Sequence, residues 1–227
     1  MLALPSLAVS PLAILGLGFV LGLRHAMDPD HVVAVAAITA RTRRMLPAAL
    51  LGAAWGAGHT VTVWGVGAAI IACNLVVPPR VGLALEFAVA VALILVGFAN
   101  LRAPGHDRSG LEGGHGRPPA RRAFLVGLVH GLAGSAAVAL LVLATVRDVF
   151  WACAYLGVFA VGTLAGMALV TTGLSLPLAA LTTRFPASPR LVRLATGALS
   201  LGFGVWLAWQ IGWQDGLFTA TPNWSPH

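Results

Sequence analysis

Arg24-His25-Ala26-Met27-Asp28-Pro29-Asp30-His31 interrupts an apolar run that extends over 8–39. The run exceeds the roughly 20 residues that cross a hydrocarbon core, so it reads as a span that is not one straight helix. Pro29 sets the place of the break. Proline has no amide hydrogen, and its ring clashes with the carbonyl four residues back, which here is that of His25. It also drives the preceding residue, Asp28, out of the helical region. Asp28 then suits the N-cap of a second half-helix, with Pro29 at its first position and an end near Ala40.

Outward from this stretch the same apolar texture recurs. Five further spans read at 46–73, 82–101, 122–146, 149–176 and 190–213. The chain of 227 residues is 58% hydrophobic and 9% charged, with a mean hydropathy of +0.88. Soluble domains average about a quarter charged residues, and no soluble fold buries this much apolar surface. The predicted fold class is all-α: a polytopic transmembrane helical bundle of about six spans, forming one domain over 1–227. The stretch 102–121, with His106, Asp107, His115 and several Gly and Pro, reads as a mobile loop.

The formal net charge is +7 and every cation is Arg. Arg41, Arg43 and Arg44 follow span one; Arg102, Arg108, Arg117, Arg121 and Arg122 lie between spans three and four; Arg184, Arg190 and Arg193 precede span six. In a six-span chain these share one side, against Arg80 and Arg147 on the other. That bias places the Arg-rich loops in the cytoplasm and both termini outside, in the cell inner membrane with lipid as the surroundings. It also removes nucleic acid as a partner. Cys73 and Cys153 stand alone, which argues against a disulfide framework. The first 23 residues lack a basic leader region, so no cleavable signal is expected.

Gly22-Leu23-Arg24-His25 aligns with Gly127-Leu128-Val129-His130, and Leu51-Gly52 aligns with Leu156-Gly157 at the same offset. Three spans separate the copies, so they cross in opposite directions. The halves 1–101 and 122–213 read as an inverted 3+3 repeat, which in transporters puts the substrate site at the midplane.

Charged groups at membrane depth are costly and are seldom kept without a partner or a task. His25, Asp28, Asp30 and His31 bring two imidazoles and two carboxylates within seven residues. A broken helix lets both rings converge and points free carbonyls at a cation. Imidazole with carboxylate suits Ni²⁺, Co²⁺ or Zn²⁺, and the lack of nearby thiols argues against Cu⁺. The plainer reading is an Arg24–Asp28 ion pair that holds helices together. His59, in Gly56-Ala57-Gly58-His59-Thr60, falls at similar depth on span two, where glycines allow close approach. The candidate metal ligands are therefore His25, Asp28, Asp30, His31 and His59. Arg24, Thr60, His130, Ser135, Thr171 and Thr172 are candidates for supporting or pathway roles. For Thr171 and Thr172, a hydroxyl bonded back to its own helix is the simpler expectation. Glu86, near the outer end of span three, reads as an interfacial carboxylate, and Trp151, Trp206, Trp209 and Trp213 read as interface anchors.

His25, Asp30 and His31 match the H-x4-D-H signature of the nickel/cobalt transporter family, which this chain resembles across all six spans. Gly58-His59-Thr60 is similar to the family's G-H-S/T, and Gly166-Met167-Ala168-Leu169 to a later G-M motif. Where the larger members carry an acidic D-T-A-T-E segment, this chain has His130-Gly131-Leu132-Ala133-Gly134-Ser135, and Thr171 stands in place of a later acidic residue. The larger members also have extra spans. The short branch often labelled urease-accessory membrane proteins is the nearer likeness. The resemblance implies high-affinity metal uptake. The expected function is a secondary permease moving nickel or cobalt as substrate, with no prosthetic group. An intramembrane metal enzyme and a non-transporting membrane subunit of a metal-handling complex are the alternatives. The enzyme reading lacks a spare acidic base at midplane depth, and no phosphate-binding G-x4-G-K-[ST] motif is present. His106 and His115 mark a candidate hand-off point for a cytoplasmic metallochaperone. Oligomeric state leaves no mark on the pattern.

Overall fold

The computed structural model describes residues 11–39, 45–102, 119–145, 148–184 and 188–224. Every regular element of the described chain is a helix: α1 (Pro11–His25), α2 (Pro29–Thr39), α3 (Met45–Ala72), α4 (Pro79–Arg102), α5 (Pro119–Thr145), α6 (Val149–Arg184) and α7 (Ser188–Trp209), which runs into a π-helical turn at Gln210–Gln214. The Arg-rich stretch 41–44, the loop histidines and both chain ends lie outside the described residues.

The break falls where proline requires it. The His25 carbonyl has no amide to accept at Pro29. Instead it takes the amide of Asp28 at 3.1 Å, while the Arg24 carbonyl takes that of Met27 at 2.9 Å. Normal winding resumes when Val32 donates to the Asp28 carbonyl at 3.0 Å, which puts Asp28 at the N-cap position. The two half-helices bend by 54°. α3 ends differently, with Asn74 in the left-handed region at φ 48°. Leu75 and Asn74 close back on Ile70 and Ile71, a Schellman end with asparagine in the usual glycine place.

Among the described residues, three helices are long and apolar enough to cross a membrane by themselves: Pro79–Arg102, Val149–Pro177 and Arg190–Gln214. The bent pair α1–α2 makes a fourth crossing when counted as one span. Large apolar side chains such as Leu17, Val61, Leu95, Leu169 and Leu199 stand exposed around the bundle. An apolar belt of this extent belongs against lipid. The chain is a multi-pass, all-α membrane bundle.

The principal pairs are α3 with α5, α3 with α6, α4 with α7 and α1 with α6. Glycine makes the α3–α5 and α1–α6 seams. A Cβ at Gly58 would strike the Phe124 carbonyl, and one at Gly127 would strike the Trp55 carbonyl. On the other seam, Gly162 faces the Phe19 carbonyl and Gly22 faces the Phe159 carbonyl. Small residues at such contacts let backbones meet, which matters where lipid removes the hydrophobic drive. α1 and α6 run parallel, with Gly22 at Phe159 and Ala26 at Gly166; α3 and α5 run parallel, with Trp55 at Gly127 and His59 at Gly131. Between them α3 crosses α6 antiparallel, Gly52 meeting Thr171 and Gly56 meeting Leu164. Asn100 of α4 donates to the Ala37 carbonyl at 2.6 Å and fixes α2 against α4.

A candidate metal centre at the helix break

The break delivers two imidazoles into the bundle interior. His25 closes α1 and His31 sits in the first turn of α2, and their ring centroids stand 4.6 Å apart. His59 reaches them from the middle of α3, 5.4 Å from His25 and 5.2 Å from His31. One nitrogen from each of the three rings lies within 4.8 Å of the other two. A first-row ion holds imidazole nitrogens at about 2.0–2.1 Å, so tetrahedral ligands stand about 3.4 Å apart. Small ring rotations cover that difference.

Burial makes the cluster chemically pointed. His59 is 0% exposed, His31 2% and His130 3%. Both nitrogens of His31, His59 and His130, and Nε2 of His25, are buried without a hydrogen-bond partner among the described residues. Buried polar groups are nearly always satisfied. Several such imidazoles facing one another are a set of donors arranged for a cation.

The carboxylates stand behind the rings. Asp28 Oδ2 lies 2.7 Å from His25 Nδ1, which leaves Nε2 turned inward. A carboxylate on one ring nitrogen fixes the tautomer and raises the basicity of the other. Asp30 lies between two rings, with Oδ1 3.2 Å from His31 Nδ1 and Oδ2 3.5 Å from His130 Nε2. Asp28, Asp30 and His31 form a second group able to offer one ligand atom each within 4.8 Å. Asp28 therefore pairs with His25, while Arg24 points to the exposed side.

The remaining candidates divide. His130 joins the cluster, 5.3 Å from His31 by ring centroid. Thr60 turns away and bonds the Ala160 carbonyl at 3.0 Å. Thr171 and Thr172 bond back to Met167 and Ala168 on their own helix, at 2.6 and 2.7 Å. The Ser135 side chain lies outside the described residues. Trp55, which sequence reasoning passed over, stacks 5.4 Å from both His31 and His130. Its signal was its place, one turn before His59 and far from either interface. A cavity of about 230 Å³ opens beside the cluster, walled by His25, Asp30, His31 and His130 on one part and by Glu86 on another.

No protein-family model matches the chain, and no solved structure matches it. It is 35% identical over 228 aligned residues to the urease accessory protein UreH of Bacillus sp. (strain TB-90), covering 92% of this chain and 96% of that protein. The chain belongs to the UreH family of urease accessory proteins. This UreH-family chain and its Bacillus relative thus match over nearly their whole lengths.

Proposed function

We propose that this UreH-family protein is a non-enzymatic, metal-handling membrane component that serves urease maturation. The observation that carries the reading is the group of buried imidazoles with unpaired nitrogens facing one another. His25, His31 and His59 hold the ion, Asp28 and Asp30 supply or orient charge, and His130 lies close enough to join. Imidazole and carboxylate without thiolate select nickel or cobalt over Cu⁺, and the resemblance to nickel/cobalt transporters favours nickel. The name of the Bacillus relative supports a place beside urease.

A second, finer reading is that the protein moves the ion as a secondary permease. Its support is the exchanged glycine packing. Gly22 and Gly127, like Phe19 and Phe124, stand at the offset that aligned the halves; their partners Phe159 and Trp55, and Gly162 and Gly58, differ by one residue less. α1 meets α6 as α5 meets α3, and α1 and α5 run oppositely. This arrangement supports an inverted 3+3 repeat with its site at midplane. α3 and α5, 28 and 27 residues long, have the length of a crossing; counting them gives six passes in the inner membrane. The Arg bias then puts both termini outside.

Purified protein is first titrated with Ni²⁺ and Co²⁺ by calorimetry, comparing wild type with His25→Ala and His31→Ala. Stoichiometric binding lost in both variants supports the metal centre; wild-type protein that binds neither ion sinks it. Radioactive nickel flux into proteoliposomes then separates the two readings. Saturable flux that vanishes in both variants means a permease, and binding without flux means a non-transporting subunit.

A further inference from the structure

The cavity runs past the histidines to a carboxylate on another helix. Pro29, Asp30 and His31 share its wall with Glu86 and Val89 of α4. Asn100 sets α2 against α4 at Ala37, and the shared wall means that the two helices run the same way. Seven residues before those two stand Asp30 and Leu93. Glu86 lies seven residues further toward the start of α4, about 10 Å along the axis at about 1.5 Å per residue. The cavity thus connects the cluster to Glu86 at the end of the bundle where α4 begins and α7 ends. His130 lines the same space, 3% exposed and with neither nitrogen hydrogen-bonded among the described residues.

The chain after the π-helical turn folds back over that end and holds the carboxylate. Trp224 donates its indole N–H to Glu86 Oε1 at 2.8 Å. The ring rests where Gly82 leaves no side chain. Phe218 stacks on Phe87 at 5.3 Å, and Arg80 donates to the Thr219 carbonyl at 3.2 Å. Glu86 is half-buried in this frame and not swinging in an interface.

We infer that Glu86 is a receiving station for a divalent cation, which then passes along the cavity to Asp30 and the imidazoles. The inference rests on the cluster binding metal. A single carboxylate is a hard oxygen donor that holds a partly hydrated ion loosely, whereas the imidazoles bind after water is shed. The cavity has room for an ion with water around it. A loose site in series before a tight one raises the local ion concentration and the loading rate without changing final occupancy.

Full-length protein in nanodiscs is mixed with Co²⁺ by stopped flow, following the visible absorption of the imidazole-bound ion. Glu86→Gln keeps an oxygen for Trp224 and removes the charge. It is expected to load about tenfold more slowly to the wild-type number of ions at saturation. In wild type, millimolar Mg²⁺ is expected to slow loading without displacing bound Co²⁺, a measurement that needs no variant. Loading by Glu86→Gln at the wild-type rate, or a wild-type rate indifferent to Mg²⁺, overturns the station. Wild type that takes up no Co²⁺ overturns the metal centre and the station with it.

Discussion

Replacing His59 by leucine separates a ligand from a packing histidine, because the two roles predict opposite changes in stability. The ring is fully buried and neither nitrogen has a hydrogen-bond partner among the described residues. A neutral imidazole carries one N–H donor and one acceptor nitrogen, and an unpaired buried polar group costs about 1–3 kcal/mol. Leucine removes both polar atoms at similar bulk. Allowing for imperfect fit, the metal-free variant should gain about 1–3 kcal/mol over wild type. For a chain of this length that is a rise of about 2–12 °C in melting. Metal should do the reverse. An ion at about 100 times its Kd stabilises the native protein by about 2.7 kcal/mol, and a variant with one imidazole fewer should lose most of that increment. The assay is melting followed by tryptophan fluorescence, in one detergent at one scan rate, with chelator and with excess Ni²⁺. A His59→Leu protein that melts below wild type without metal, yet keeps the wild-type Ni²⁺ shift, refutes the reasoning.

Asp30→Asn keeps the shape between His31 and His130 but removes the charge; it should weaken Ni²⁺ binding by about 10–100-fold, read by calorimetry, and unchanged affinity would exclude Asp30 from the centre. Asn100→Leu deletes the 2.6 Å bond to the Ala37 carbonyl. It should lower the melting point by an amount equivalent to about 0.5–1.5 kcal/mol while leaving metal stoichiometry intact. Gly127→Val drives a side chain into the Trp55 carbonyl, and Gly22→Val drives one into that of Phe159. Both should destabilise by about 1–3 kcal/mol or more, and tolerance of one with collapse of the other, in the same melting assay, would break the correspondence between the seams.

The helix break was legible because its cause is covalent: Pro29 lacks an amide hydrogen in any environment, and the bend sits beside it. The extents of the apolar helices were legible for the same local reason, within a few residues, although α6 continues to Arg184 beyond its expected end at 176. Thr171 and Thr172 bond back to their own helix as short hydroxyl side chains do. Facts of tertiary register were hidden. Nothing local to His130 says that α5 lies parallel to α3 with Gly127 on Trp55, yet that contact brings the ring to Asp30. Glu86 read as interfacial because its depth along α4 was visible and the cavity beside it was not. Trp224, separated from it by most of the chain, could be placed only by the fold.

The glycine seams also decide what can move. Where carbonyls rest on Cα atoms, as along α1–α6 and α3–α5, sliding opens backbone contact that nothing else can fill, so each couple behaves as a plank. Between the planks, Gly52 meets the Thr171 side chain and Gly56 meets Leu164 and Met167, a softer joint in which rotamers can yield. The three clustered histidines are divided across that joint: His25 ends α1, His59 rides on α3, and His31 lies on α2 beyond the break. Any shear of one plank over the other therefore stretches the triangle of rings. An ion that binds all three clasps the planks together, and a shift of the planks loosens the ion.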